Sequence, residues 1–265
     1  MRITGQNLDE TIKINSEVNR EVQEQIKYLE RYLKKYRIIS TEKLAMQILK
    51  DHNLIQVPIP DPDWGGAIYE LPNGQKVPVL NTAQSRLYQY FICWHEVYHL
   101  TEESRQSVSH SISTEFDLIE RKADYFASQM LIGNDLYLYY RDLEDQNFID
   151  RIAYCMDTFK APYKAILIQL YEDAIRFKDE LLQREIKAYF DLKLDQKQWE
   201  EKFKELSLDD SLVKPTGIID FGKLKKVIEE KTSQHSDVEL YSENMNFLLS
   251  LEKKLRDTKE ELVYD

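Results

Sequence analysis

The stretch Trp94-His95-Glu96-Val97-Tyr98-His99-Leu100 limits what this chain can fold into more than any other part of it. It has the form H-E-x-x-H inside an apolar run with helical periodicity. Positions four apart on a helix lie one above the other on the same face, so His95 and His99 offer two imidazole nitrogens to a single metal ion. Glu96 follows the first of them and can reach a water beside the metal without being a ligand itself. At this chain's own His and Glu content the pattern arises by accident in about one chain of this length in a hundred. The competing reading is a pair of partly buried histidines on a core helix.

A third ligand lies downstream. After a polar connection, Thr101 to Thr114, comes Glu120-Arg121-Lys122-Ala123-Asp124-Tyr125-Phe126-Ala127. Glu120 and Asp124 are again four apart and share a helical face. The spacing suits a pair in which Glu120 binds the metal and Asp124 accepts the other ring N–H of a ligand histidine, fixing its tautomer. Ala123 and Ala127 lie near that face and let the two helices approach closely. Taken alone, the segment reads as a solvated charged face. Beside His95 and His99 the metal reading outweighs that one.

Together these residues resemble the ImmA/IrrE family of zinc metallopeptidases. The resemblance rests on His95-Glu96-x-x-His99 followed by Glu120-x-x-Ala123-Asp124-x-Phe126-Ala127. It extends upstream to Lys76-Val77-Pro78-Val79-Leu80-Asn81 and downstream to Phe159–Leu170, so it covers roughly residues 41–175. Two departures are visible: Ile132-Gly133-Asn134 replaces a proline-terminated end of the second helix, and Gln169 stands where a basic residue is common. Neither touches the proposed ligands. The resemblance implies a zincin-like core, a zinc ion (Zn2+) as cofactor, and a protein substrate such as a helix-turn-helix repressor.

The formal charge of −11 argues against a nucleic-acid footprint, which needs a basic stripe. Two cysteines, Cys93 and Cys155, make no secreted disulfide framework. Cys93 falls inside the metal helix and is expected to pack as a small hydrophobe. The N-terminus opens no apolar run and no stretch approaches a membrane span, so no signal peptide and no membrane partner are expected, and the expected location is cytoplasmic.

Periodicity predicts helices over about 17–36, 41–52, 83–100, a segment that starts after Ser113 or Thr114 and ends before Gly133, then 136–143, 148–159, 163–177, 179–192, 196–206, 221–231 and 238–258. Asn81 or Thr82 is the expected cap of the metal helix, with Leu87, Phe91, Trp94 and Tyr98 as its core anchors. Residues 67–71 and 75–80 flank Pro72-Asn73-Gly74 and read as a hairpin. Pro78 cannot donate to a ladder, so its strand is expected at an edge or with one free side. An exposed edge beside a metal site can hold an extended peptide by backbone pairing, or be blunted by proline against aggregation. The Ala161-Pro162 turn between two helices resembles a helix-turn-helix, though nothing around it is strongly basic. The fold class is α+β, mainly helical, with a small antiparallel sheet and a metal-binding helix pair. The chain divides into an N-terminal helical extension (1–40), the zincin-like metallopeptidase core (41–134), a helix-turn-helix-like segment (135–192) and a helical C-terminal appendage (193–265).

The expected function is that of a zinc-dependent endopeptidase: His95, His99 and Glu120 hold the metal, Glu96 is the general base, and Asp124 orients a ligand. His110 and Tyr125 are candidates for a second oxyanion donor. The alternatives are a non-catalytic zinc-containing regulatory module that binds a protein partner, and a DNA-binding regulator. A purely structural zinc site is normally closed by four protein ligands, and it gives Glu96 no task. His52 and His235 have no companions and default to the surface.

Overall fold

A computed structural model of the chain describes residues 3–33, 39–101, 117–235 and 237–264. It is mainly helical with a three-stranded sheet, the α+β class expected. The order is α1 (Leu8–Leu33), α2 (Thr41–Asp51), β1 (Ile55–Val57), β2 (Gly66–Glu70), β3 (Lys76–Asn81), α3 (Arg86–Thr101) and α4 (Leu118–Ile132). There follow α5 (Leu136–Asp142), α6 (Phe148–Phe159), α7 (Tyr163–Arg176), α8 (Glu180–Tyr189), α9 (Gln196–Glu205), α10 (Leu224–Gln234) and α11 (Glu239–Tyr264). None of the described helices is long and apolar enough to cross a membrane. His110, Ser113 and Thr114, which the sequence reading used, lie outside the described residues.

α3 is the central helix. Leu87, Trp94 and Tyr98 are buried and Phe91 nearly so, which puts the expected anchors in the core. Fully burying side chains of this size contributes about 1.5–3 kcal/mol each. The helix begins later than periodicity suggested, at Arg86, where Gln89 N–H bonds the Ser85 carbonyl at 2.9 Å. Asn81 is therefore not its cap. Its fully buried amide instead gathers the preceding loop, donating to the carbonyls of Ile59 (3.0 Å) and Trp64 (2.8 Å) and accepting from Ile59 N–H (2.9 Å).

The sheet corrects the expectation of purely antiparallel pairing and, of the two placements expected for Pro78, shows the one with a free side. It is mixed, in the order β1-β3-β2, with β1 parallel to β3 and β2 antiparallel to it. The strand carrying Pro78 is therefore central. Proline is tolerated there because β1 joins the register only from Val79, leaving Pro78 opposite Ile68 of β2 and free on its other side. The hairpin turns as the sequence indicates, with Gly74 at φ 78° and Leu71 N–H bonded to the Gln75 carbonyl at 2.9 Å. The edge beside α3 is β2, not β3.

α1 starts at Leu8, earlier than expected. Its buried face carries Leu8, Ile12, Val18 and Val22, but also Thr11 and Asn15, and those polar members break the apolar count. Residues after 192 are tied closely to the rest. Phe203, Leu212 and Val213 belong to the main core. The segment 214–220 adds backbone bonds to it: Arg86 N–H to Lys214 (2.9 Å), Gly217 N–H to Thr82 (2.9 Å), and a reciprocal pair between Gln56 and Asp220 at 2.7 and 2.9 Å. α10 and α11 pack on each other, and a small apolar cluster of Val57, Phe221 and Leu248 joins them to β1.

Candidate metal centre

α3 and α4 supply the site together. Ala123 and Ala127 are fully buried, and with no bulk beyond Cβ they allow the helices to come close. Phe126 lies between the anchors of α3, with ring centroids 6.1 Å from Trp94 and 5.5 Å from Tyr98. That packing seats the Tyr98 ring on Phe126, with its other neighbour the His99 ring at 5.8 Å edge-on, and fixes the rotation of α4, so Glu120 and Asp124 face His95 and His99. Asp117 caps α4, accepting from Ile119 N–H at 2.8 Å, and so sets where its first turn begins.

The three expected ligands come together. His95 Nε2 lies 3.1 Å from His99 Nε2 and 3.2 Å from Glu120 Oε2, and His99 Nε2 lies 3.4 Å from Glu120 Oε1. Tetrahedral zinc with bonds of about 2.0–2.1 Å to nitrogen and oxygen places its ligand atoms about 3.3 Å apart. The observed separations bracket that value, so the residues fit such an ion. Asp124 Oδ1 is 3.0 Å from His95 Nδ1, close enough to accept a ring N–H there while Nε2 is directed at the cluster.

The site is nearly closed to water at its base, with His95, Glu96 and His99 all buried. Burial opposes a charged imidazolium at His95. The hydrogen bonds to Asp124 and Glu120 and the charges of Asp124 and Glu96 outweigh it, raising His95 well above the ordinary imidazole range. One buried carboxylate, Glu96, and two partly exposed ones, Glu120 and Asp124, around the buried imidazoles favour a cation, whether protons or a metal ion. Glu96 stands apart from the ligand group, which consists of His95, His99 and Glu120. It lies under the first residue of β2: a Cβ built on Gly66 would stand 3.2 Å from Glu96 Oε1, 2.8 Å from Ile92 and 2.9 Å from the Val79 carbonyl. Gly65 and Gly66 are thus what lets the edge strand rest on α3 beside Glu96.

Tyr125 is not at this centre. Its hydroxyl bonds Glu172 of α7 (3.1 Å) and Asn19 of α1 (3.3 Å), on another side of α4, so it is no oxyanion donor. His52 and His235 are exposed, as expected. Cys93 is fully buried and its thiol is pushed far up by desolvation, which fits packing and not reactivity. The helix after Ala161-Pro162 is a core helix, with Ile166, Leu167, Leu170 and Ala174 all fully buried.

Sequence reasoning passed over Arg121 and Asn15. Arg121 donates from Nε (2.9 Å) and Nη2 (2.6 Å) to Asn15 Oδ1, and its Nη1 stands 3.9 Å from Asp124 Oδ2. A buried asparagine on the stripe of α1 was the available signal, since such an amide needs a polar partner. Comparison of the chain with family models, curated proteins and solved structures finds no match.

Proposed function

We propose that this protein is a zinc-dependent endopeptidase that hydrolyses a peptide bond in a regulatory protein. The observation that carries the reading is the convergence of His95 Nε2, His99 Nε2 and the two oxygens of the Glu120 carboxylate within 3.1–3.4 Å, with Glu96 buried beside them and outside the ligand group. Zinc, when bound, polarises the scissile carbonyl and makes hydroxide available near neutral pH. Asp124 holds the His95 ring in the tautomer that can ligate. Glu96 takes the proton of the attacking water and passes it to the leaving amine, a role worth about 10²–10⁴-fold. β2, with no strand on its outer side among the described residues, pairs with an extended peptide and lays it across Glu96.

The motifs' resemblance to the ImmA/IrrE family supports a protein substrate such as a helix-turn-helix repressor, and a cytoplasmic location. The alternative, a non-catalytic zinc-containing module that binds a regulatory partner, accommodates the ligands but leaves Glu96 without a task. Glu96→Gln separates the two. The amide keeps size and helix propensity but cannot accept the proton. The variant is expected to hold zinc and melt like the parent, while fragment release from a cognate repressor, read by intact mass, falls at least about 10²-fold. Equal cleavage by both forms, or none by the parent, rejects the peptidase.

A further inference from the structure

We propose that a cavity beside Asp124, distinct from the metal centre, binds a carboxylate carried on an apolar or aromatic body. The cavity is about 430 Å³ and is walled by α3, α4 and the start of α7. That volume falls in the range of about 300–1,000 Å³ typical of small-ligand sites. None of His95, Glu96, His99 and Glu120 lines it. Tyr88 and Phe91, stacked at 6.4 Å between centroids, form one wall, with Tyr163 and Ile168 opposite. Flat aromatic and branched aliphatic walls of this kind take a ring or a branched chain.

The polar groups set the sign of the ligand. Arg121 and Lys164 contribute two positive charges and Asp124 one negative, so the lining carries a formal +1 in a molecule of formal charge −11. Asp124 is already engaged through Oδ1 with His95. Arg121 is buried, at 8% exposure, and two of its nitrogens are spent on Asn15. The third, Nη1, faces Asp124 Oδ2 at 3.9 Å, beyond hydrogen-bond reach, so among the described residues it makes an ion pair but no hydrogen bond. A buried guanidinium with donors to spare calls for an oxygen acceptor, and its planar fork matches a carboxylate. Lys164 Nζ stands at the same cavity, 3.3 Å from the Ile3 carbonyl and 4.8 Å from the centre of the Phe190 ring, and adds its positive charge to the lining.

The test uses the full chain and two probes of the same shape, 3-phenylpropanoate and the neutral 3-phenylpropanamide, followed by calorimetric titration to about 10 mM, where even a weak complex is visible. The acid is expected to bind at least about tenfold tighter than the amide. Arg121 is tied into α1, so the variant is Lys164→Gln. It is expected to weaken the acid at least about threefold and leave the amide unchanged. A second arm compares N-acetyl-Phe-Glu-amide with N-acetyl-Phe-Gln-amide. A preference for the glutamate peptide assigns the carboxylate to a peptide side chain, and a preference confined to the free acid assigns it to a small molecule. Either supports the site. No preference for a carboxylate by the parent, or an unchanged preference in Lys164→Gln, overturns it.

Discussion

Asn15 on α1 and Arg121 on α4 meet in a fully buried contact in which one amide oxygen receives two guanidinium N–H groups, at 2.9 and 2.6 Å. From there the charge of Arg121 faces Asp124, and Asp124 holds His95. Residue 15 of α1 is thus connected to His95 through two side chains.

Asn15→Leu keeps the volume but leaves Arg121 buried with fewer acceptors. Stability is expected to fall by about 1–3 kcal/mol, the cost of stranding buried donors. Metal affinity is expected to fall with it, as Asp124 turns toward Arg121 and away from His95. Asn15→Asp keeps the acceptor for Arg121 but loses the Nδ2 donor to Glu172 Oε2 (3.4 Å), so it should restore both only in part. Denaturant midpoints and chelator competition measure the two effects; unchanged values in Asn15→Leu would show that the contact is inert.

Metal content tests the ligands directly. Protein purified without added metal is expected to carry close to one equivalent of zinc, and the double variant His95→Ala, His99→Ala none. Asp124→Asn is expected to retain the fold and lose about 10- to 100-fold in affinity. Because the ion binds only the folded chain, its removal by a chelator is expected to lower the melting temperature. Full retention of zinc by the double variant would move the site elsewhere.

Gly66→Ala places a methyl 2.8 Å from Ile92 and 2.9 Å from the Val79 carbonyl, and 3.2 Å from Glu96 Oε1. The backbone oxygen cannot swing aside, so β2 must shift, at a cost of about 1–3 kcal/mol. Zinc is expected to stay, since no ligand is touched, while hydrolysis of the cognate protein drops. Equal activity and stability would mean that β2 has slack against α3.

Asp173 adds a pH dependence to stability. Burial raises its carboxyl to about 6, and Arg176, itself half exposed, offsets that only in part. Its Oδ2 has no hydrogen-bond partner among the described residues. A carboxyl raised above its unfolded value contributes most below the unfolded pKa of 3.8, and the contribution is lost as pH rises through about 6. Asp173→Asn is therefore expected to gain on the parent between pH 4 and 7, by on the order of 2–3 kcal/mol, and to gain nothing further above. Urea midpoints of both forms across that range decide it; a constant difference would refute the raised carboxyl.

Helix content and the ligand set were legible because both follow short-range spacing. α6 occupies the predicted residues, α7 and α9 end one residue early, and the four-residue steps put His95 with His99 and Glu120 with Asp124 on shared helix faces, which the packing of α3 on α4 then brings together. What failed depended on partners distant in sequence. Pro78 shows that its strand has a free side somewhere, but only the parallel pairing with β1 reveals a central strand. Asn81 looked like a cap because caps and loop anchors use the same amide. Thr11 and Asn15 hid the first turns of α1, since a buried polar residue reads as exposed until its partner is known.

The bond pair between Gln56 and Asp220 joins positions 164 apart in the chain. On a ribosome the metal helix and the whole sheet emerge before the segment that covers the outer side of β1. Until Asp220 arrives, that side can pair with another chain, and closing so long a loop is slow. Assembly therefore passes through a stage in which α3 and α4 have been made but the outer side of β1 is still open. Crowded nascent chains are most prone to associate during that interval.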